Sequence, residues 1–385
     1  MATHVDEDER RPPDNMQSLM RAEYIWRDHY DWLLGIGYQL RPRYAPGWVP
    51  SWKTSGKSRL RSEDGYPIGF AAINDALHVP TGSRVALKLL YKSINPFEED
   101  IIRYFSSEEA KKDPRNRCIP LLDVLHPPIP EGKDEFVFLV MPYVRTFRLP
   151  IFDTVGEAVD CIRQALVGLQ FLHEHHTAHR DFNIHNLMMD CSMFPDGFHP
   201  TKNLLKPDLS GPAKYYTRTQ RPPKYYIIDF GLSRQYDANN TAPLEDIIHG
   251  GDRTVPEFQT SMDPQNPFWT DIYYAGNLIR EAFLDGHPRG AFTRGYRGLE
   301  FLRPLVDIMI NKEPSKRPTI GEAVEHFEKL VNGLSTSQLR SRTASRRANI
   351  FTDFGHLLAH WRRRIVYMAK HTPAIPSTTS PTSQS

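Results

Sequence analysis

Residues 176–190 read HTAHRDFNIHNLMMD, and the fold turns on how this stretch is understood. Just upstream, in residues 159–172, apolar side chains recur every three or four positions, the spacing of one buried helix face. A helix that gives way to Arg180-Asp181, with Asn186 five residues past the Asp, sets charged and amide side chains on a short loop. Loops held by a rigid scaffold are where proteins present reactive groups.

With 385 residues, 39% of them hydrophobic, the chain can form a two-lobed domain or two small domains with a sizeable core. Cys118, Cys161 and Cys191 lie far apart and have no CxxC spacing, which argues against a disulfide framework or a zinc site and favours a reducing compartment. No run of about 18 apolar residues occurs. The start, MATHVDEDERRPPDN, lacks the basic-then-apolar layout of a secretory signal. The expectation is an intracellular protein, cytoplasmic or nuclear, without a transmembrane span. Charge is unevenly spread. Residues 335–385 hold eight Lys/Arg against Asp353 alone, a net +7, so the rest of this +2 chain carries −5.

Residues 1–20 are charged and proline-containing without apolar periodicity, and residues 371–385, HTPAIPSTTSPTSQS, are rich in Ser, Thr and Pro; both ends read as disordered. From Val79, VPTGSRVALKLLY gives a turn at Thr81-Gly82 and an apolar, β-favouring run, a strand pair. In INPFEEDIIRYF, Asn95 is placed to cap a helix, Pro96 suits its first position, and Phe97, Ile101, Ile102 and Phe105 share a face. FVFLVMPYV, residues 136–144, reads as a third strand. Beyond it the pattern is mostly helical to Leu334, interrupted at LMMD and YYIID. A strand-rich part followed by a helix-rich part predicts an α+β fold of two lobes with a seam near residues 141–144. The expected divisions are an extension over 21–65, a β-rich lobe over 66–140, and a helical lobe over 141–334 with an insertion at 191–223. A basic tail with an amphipathic helix follows over 335–370. Asp229 lies 43 positions after Asn186, and the Pro, Gly and charge between them predict a long surface loop.

Phosphoryl transfer needs a carboxylate near the attacking hydroxyl, oxygen ligands for Mg²⁺ and a cation on the nucleotide phosphates. Lys88 closes VALK on the expected strand, Asp181 and Asn186 sit in HRDFNIHN, and Asp229 opens DFG after the apolar YYII. In this order they resemble the eukaryotic protein-kinase family, and more specifically the divergent kinase-like proteins expanded in fungi. VPEF, residues 255–258, is similar to the end of an activation segment. TDIYYAGNLIREAF from Thr270, with its leading Asp271, and INKEPSKRPTIGEAVEHF, with Arg317, are similar to the helices that follow. One such tripeptide arises by chance in on the order of a few per cent of chains this long; the ordered series does not. The resemblance spans about residues 66–334.

The resemblance implies a bilobal protein-kinase-like fold, with a small β-rich N-lobe and a larger helical C-lobe. It implies that ATP and Mg²⁺ bind between the lobes and that the γ-phosphoryl group passes to a protein hydroxyl, Ser or Thr rather than Tyr. Residue by residue, it implies that Lys88 holds the nucleotide phosphates, that Asp181 orients the acceptor hydroxyl and takes its proton, and that Asn186 and Asp229 bind Mg²⁺. Met141 takes the gatekeeper position, and Pro142, Tyr143 and Val144 the hinge beside the adenine. Arg180 stands where a phosphorylated activation-segment residue is bound, with Thr241 and Thr254 as candidates. Glu257 and Arg317 take the places of a structural ion pair. For the family's partner of Lys88, the apolar register of EEDIIRYF selects Glu98, and counting back from CIPLLDVL selects Glu108 or Glu109. Glu98 also falls where a capping box from Asn95 would place it.

The chain departs from the family in its phosphate loop. The register of the three family glycines falls near Tyr66, Ile68 and Ala71, with Gly65 and Gly69 displaced, and LLGIGYQL lies far upstream as a strand or turn of the extension. A poorer loop offers fewer N–H groups to phosphates. Asn183 replaces the Lys typical of serine/threonine kinases, and Gly250 replaces a Thr. These departures define the alternative function, a pseudokinase scaffold that binds nucleotide weakly or not at all. A small-molecule kinase of similar fold is disfavoured by the activation segment and VPEF. A second DFG, Asp353-Phe354-Gly355, heads a basic helix beyond the resemblance and is set aside as a metal site. His173, His175, His176, His179 and His185 have no cysteine partners for zinc, and His179 reads as a structural hydrogen-bonder. In the tail, Phe354, Leu357, Leu358, Trp361, Ile365 and Met368 follow helical spacing beside Arg362, Arg363 and Arg364, which predicts a helix packed on the body. An anionic partner, membrane surface or nucleic acid, is the other use of that charge.

Overall fold

The computed structural model describes residues 19–67, 69–129, 134–248, 252–287, 295–346 and 350–377, with the backbone alone over 350–354. The expectations for residues 1–18, Ile68, Gly250 and 378–385, and for the side chains of Asp353 and Phe354, lie outside the described residues. The structure is mixed α/β and divides into two compact units. One comprises residues up to 94 with 121–143 and 194–214; the other comprises 95–120, 144–193 and 215 onward.

In the first unit, α1 (Tyr24–Asp28) and α2 (Tyr30–Gly35) precede β1 (Tyr38–Leu40), and α3 (Trp52–Ser55) precedes β2 (Ile73–His78). With β3 (Ser83–Tyr91), β4 (Asp123–Leu125) and β5 (Phe136–Pro142), the strands form an antiparallel sheet in the order β1-β2-β3-β5-β4. Gly82, at φ +65°, closes the β2–β3 turn, a left-handed conformation that a Cβ disfavours. Val85 and Leu87 of β3 point into the core. Trp26 of α1 is fully buried with its ring 5.2 Å from Phe138, and Leu33 of α2 joins the same core as Tyr38 and Leu40. That shared core explains why LLGIGYQL supplies the sheet's edge strand. The stretch where the glycine register was expected is instead irregular at Tyr66 and turns through Ala71, with Phe70 only bridging Ile73.

Residues 41–67 are organised by buried ions. Arg43 donates to both oxygens of Glu23, at 2.9 and 2.8 Å, and the Tyr44 hydroxyl adds a third bond at 3.0 Å. Asp64 accepts from Trp48 Nε1 (3.0 Å), Ser51 N (2.8 Å) and Ser51 Oγ (2.5 Å). Arg41 Nε lies 3.2 Å from Asp75 Oδ1 on β2. Residues 194–214, half of the expected surface loop, are part of this unit. His199 is fully buried: its Nδ1 accepts the N–H groups of Thr201 (3.2 Å) and Lys202 (3.1 Å), and its Nε2 lies 3.3 Å from the Glu63 carbonyl. Phe194 and Phe198 are buried too, so the loop expectation is corrected to a packed segment, since these three side chains supply a small core of their own.

The second unit begins with α4 (Glu98–Phe105), whose N-cap is Phe97 without a side-chain cap. Asn95 therefore does not cap the helix, and Glu98 completes no capping box. Along the chain follow α5 (Val155–Glu174), α6 (Glu257–Thr260), α7 (Pro267–Ile279), α8 (Arg303–Met309), α9 (Ile320–Asn332), α10 (Thr336–Leu339) and α11 (Ile350–Ala369). Of the short strands β6 (Arg145–Thr146), β7 (Thr177–Ala178), β8 (Leu187–Met189), β9 (Tyr225–Ile227) and β10 (Arg234–Gln235), three form the sheet β6-β8-β9, and β7 pairs with β10. Thr154 caps α5 by accepting the Glu157 N–H at 3.1 Å. A Cβ on Gly276 of α7 would stand 2.8 Å from the Met309 Cβ, so α7 and α8 approach at a distance that requires glycine. The rest of the expected loop is anchored here by Arg218, fully buried, which donates to the carbonyls of Phe147 (2.6 Å) and Pro150 (2.8 Å) and to the Tyr225 hydroxyl (3.1 Å).

The tail reverses the expected packing. α11 docks through polar groups: Arg363 reaches both oxygens of Asp153 at 2.9 Å, His360 Nδ1 lies 3.3 Å from Asp153 Oδ1, and the Tyr367 hydroxyl lies 2.7 Å from Thr217 Oγ1. The apolar stripe faces outward, because the two-oxygen ion pair with Asp153 fixes which side of the helix turns inward. Residues 371–377, expected to be disordered, fold back. The Ala374 carbonyl oxygen would stand 1.9 Å from a Cβ on Gly156. Among the described residues no helix is long and apolar enough to cross a membrane.

Replacing Arg43 with Met strands the buried Glu23 carboxylate and should lower unfolding free energy by about 3–5 kcal/mol in a urea titration. Arg43→Met combined with Glu23→Gln should recover part of that loss.

Candidate active site

The loop singled out in the sequence is fixed by one carboxylate. Asp271, fully buried on α7, accepts the backbone N–H of His179 through Oδ2 and of Arg180 through Oδ1, each at 2.7 Å, and His173 Nε2 lies 3.0 Å from Oδ2. The bond to Arg180 holds a strained backbone at φ +65°, a region that side chains other than Gly rarely adopt, and Asp229 at φ +66° shares that region. His179 is fully buried, with Nε2 3.0 Å from the Ile228 carbonyl and Nδ1 accepting the Asp181 N–H at 3.2 Å.

Asp181 is held by two amides. Asn183 Nδ2 donates to Oδ1 at 2.7 Å, and Asn186 Nδ2 donates to Oδ2 and to the Asp181 carbonyl, both at 2.8 Å. Burial, reinforced by the nearby Asp229 carboxylate, holds the Asp181 carboxyl above its ordinary range, against the opposing pull of His179 and the two amides. Nδ2 of Asn186 is thereby committed to Asp181. Its backbone carbonyl accepts the Ile228 N–H at 3.0 Å, which ties the loop to the strand leading into Asp229.

Around Asp229 the space is tight. A Cβ on Gly231 would lie 3.3 Å from Asp229 Oδ1, 3.3 Å from Asn95 Nδ2 and 3.4 Å from Glu98 Oε2, so Glu98 at the start of α4 is a neighbour of the DFG turn. Phe230 is fully buried and stacks on Phe105 of α4 with ring centroids 6.3 Å apart. Glu98 is itself buried. Glu108 and Glu109, by contrast, are exposed and pair with Lys111 and Lys112.

In the first unit, Lys88 is buried on β3 and faces Leu139 across the sheet. Met141 and Pro142, at the end of β5, face Ala86 and Val85. The Tyr143 hydroxyl donates to the Pro200 carbonyl at 3.4 Å. Val144 begins the next stretch of the second unit.

Two further features belong to the second unit. Arg317 forms the expected two-oxygen ion pair with Glu257, at 2.7 and 2.6 Å, with both residues buried. Arg180 sits 3.3 Å from Glu245 Oε2 and donates to the carbonyls of Leu232 (3.2 Å) and Asp246 (2.9 Å). Sequence reasoning missed Glu245. Its place depends on the Tyr236 hydroxyl, which donates to Glu245 Oε1 at 3.1 Å, and on backbone bonds to Gln265, none of which leaves a local pattern. Thr254, one of the phosphosite candidates, gives its hydroxyl to Asp252 at 2.7 Å.

The set of groups around Asp181 suits a hard divalent cation and a hydroxyl acceptor: an amide oxygen, a carboxylate and a second carboxylate with a raised proton affinity, all oxygen donors. No protein-family model matches the chain. Among characterised proteins, it is 30% identical over 177 residues, 46% of this chain and 34% of the relative, to serine/threonine-protein kinase CAK1 of Saccharomyces cerevisiae. It is 26% identical over 152 residues, 35% of this chain and 36% of the relative, to a probable myosin light chain kinase of Dictyostelium discoideum. The chain thus spans about a third of the length of the curated relatives it matches. Both relatives are named as protein kinases.

Asp271→Ala should leave the two loop N–H groups without their acceptor. The expected loss is about 1–3 kcal/mol of stability per buried donor by urea unfolding, with faster hydrogen exchange at His179 and Arg180.

Proposed function

We propose that the chain is an ATP-dependent protein kinase acting on Ser or Thr hydroxyls of a protein substrate. The observation that carries the reading is the Asp181–Asn186 bond. It holds a carboxylate whose proton affinity is raised by burial and by the nearby Asp229, on a loop locked by Asp271. The name of the first relative supports serine/threonine specificity.

In this reading Asp181 accepts the hydroxyl proton, and Asn183 and Asn186 hold its two oxygens so that the carboxylate cannot rotate away from the acceptor. The Asn186 amide oxygen and the Asp229 carboxylate are the ligands for Mg²⁺, and Lys88 is the cation for the nucleotide phosphates. Mg·ATP, when bound, supplies the transferable phosphoryl group and the charge that neutralises it. Asn183 is neutral where the family's Lys would add a second cation, so Lys88 and the metal ligands carry the electrostatic work. The runner-up is a pseudokinase scaffold, favoured by the non-glycine residues at the expected loop register and by the folded 41–67 segment before it.

Glu245 gives the reading a regulatory consequence. A carboxylate already meets Arg180, so transfer should need no phosphate on the activation segment. Phosphatase-treated protein is expected to keep its transfer rate.

Radiolabelled γ-phosphate transfer to generic protein substrates tests the proposal. Asp181→Asn should lower the rate at least about 100-fold in protein that remains folded by its melting curve. Equal incorporation by wild type and Asp181→Asn would remove the assigned base. The pH profile has a definite sign. The carboxylate is the working form and its proton affinity is raised, so rate should fall on acidification at a higher pH than an exposed Asp would give.

A further inference from the structure

A helix on a protein surface normally buries its apolar stripe and exposes its charges; α11 does the reverse. Leu358, Trp361, Ile365 and Met368 recur at the three- and four-residue spacing of one helix face, and they are 57%, 51%, 64% and 55% exposed. His360 and Tyr367, on the opposite side, are buried, and Arg363 is tied to Asp153. At about 3.6 residues per turn, Arg362 and Arg364 fall on either flank of the apolar stripe. Arg362 is exposed, and the Arg364 guanidinium lies 5.1 Å over the Trp361 ring. Lys370 follows, exposed, just past the helix end.

We propose that α11 is an interfacial anchor that seats the protein on an anionic lipid surface. The helix already has partners for its polar side in Asp153 and Thr217, so its open side is the apolar one, edged by cations. That is the layout of a helix lying in the plane of a bilayer, with apolar side chains at the acyl boundary and arginines at the headgroup phosphates. The surrounding chain has the matching sign, since residues 335–385 carry a net +7 with Asp353 as the single acid. Trp361 at the centre of the stripe suits the interface, where an apolar ring with one polar N–H is favoured. A second copy of this helix would set Arg362 and Arg364 of each chain against each other, which opposes self-pairing. Nucleic acid would use the arginines and leave the four apolar side chains in water.

Vesicle flotation with the full chain tests this, using vesicles of phosphatidylcholine alone and vesicles containing about 30% phosphatidylserine. The protein should float with the anionic vesicles, remain behind with the neutral ones, and be released by salt. Leu358→Asp with Ile365→Asp should abolish flotation, and Arg362→Gln with Arg364→Gln should weaken it about tenfold. Leu358, Ile365 and Arg362 are exposed and Arg364 is half-buried with a bond to Ser337 Oγ at 3.0 Å, so each variant should stay folded by its melting curve and keep its transfer to a soluble substrate. Trp361→Ser, the second apolar variant, should weaken flotation as well. Brominated lipid should quench tryptophan emission in the wild type more than in Trp361→Ser. Absence of flotation, or flotation unaffected by the apolar variants, would overturn the proposal. Tight binding to duplex DNA lost only with the arginines would assign the tail to nucleic acid instead. A dimer in solution dispersed by the aspartates would assign it to a second copy.

Discussion

The buried carboxylate of Asp271 is the constraint on which the candidate site depends. It sits on α7, a helix buried almost all round, and its two oxygens each take one backbone N–H of the loop that carries Asp181. A charge in such a place is costly unless paired and hydrogen-bonded, and here the loop supplies the bonds. The arrangement therefore works in both directions. The loop is held in a conformation that φ +65° at Arg180 makes unfavourable alone, and Asp271 is stable only while the loop is in place. From that anchor the chain runs through Asp181 to Asn186, whose carbonyl fixes the strand entering Asp229.

The first unit meets a different constraint. Ahead of the place where a glycine loop would offer bare N–H groups, residues 41–67 fold around Arg43–Glu23, Asp64 and Arg41–Asp75. Buried ion pairs and hydrogen bonds of this kind specify one packing of the segment. The connection is a folded element with its own partners, and His199 from the 194–214 segment adds another clasp at Glu63.

Much of this was legible in the sequence because it is local. VALK, the apolar FVFLVMP and the 159–172 periodicity encode strands and a helix through neighbours along the chain, and all three elements form. The ion pair of Glu257 with Arg317 followed from a resemblance. What escaped depends on long-range partners. Trp26, Tyr30 and Leu33 do have helical spacing, a signal that could have exposed α1 and α2, yet their role as cover for the sheet needs Phe138. The edge strand at Tyr38–Leu40 could not be told from a turn without its partner Ala76. The inward face of α11 was read from its apolar stripe, and a single distant carboxylate, Asp153, reverses it. The capping reading of Asn95 gave way as well, because α4 starts beyond it at Glu98.

The proposal stands or falls on whether this chain binds Mg·ATP with Asp229 as a ligand. Calorimetric titration of the full chain with ATP, with and without Mg²⁺, measures it directly. The account predicts saturable binding that requires Mg²⁺ and disappears in Asp229→Ala. Absence of binding to the wild type in both conditions, with the protein folded by its melting curve, would contradict it and leave the scaffold reading in its place.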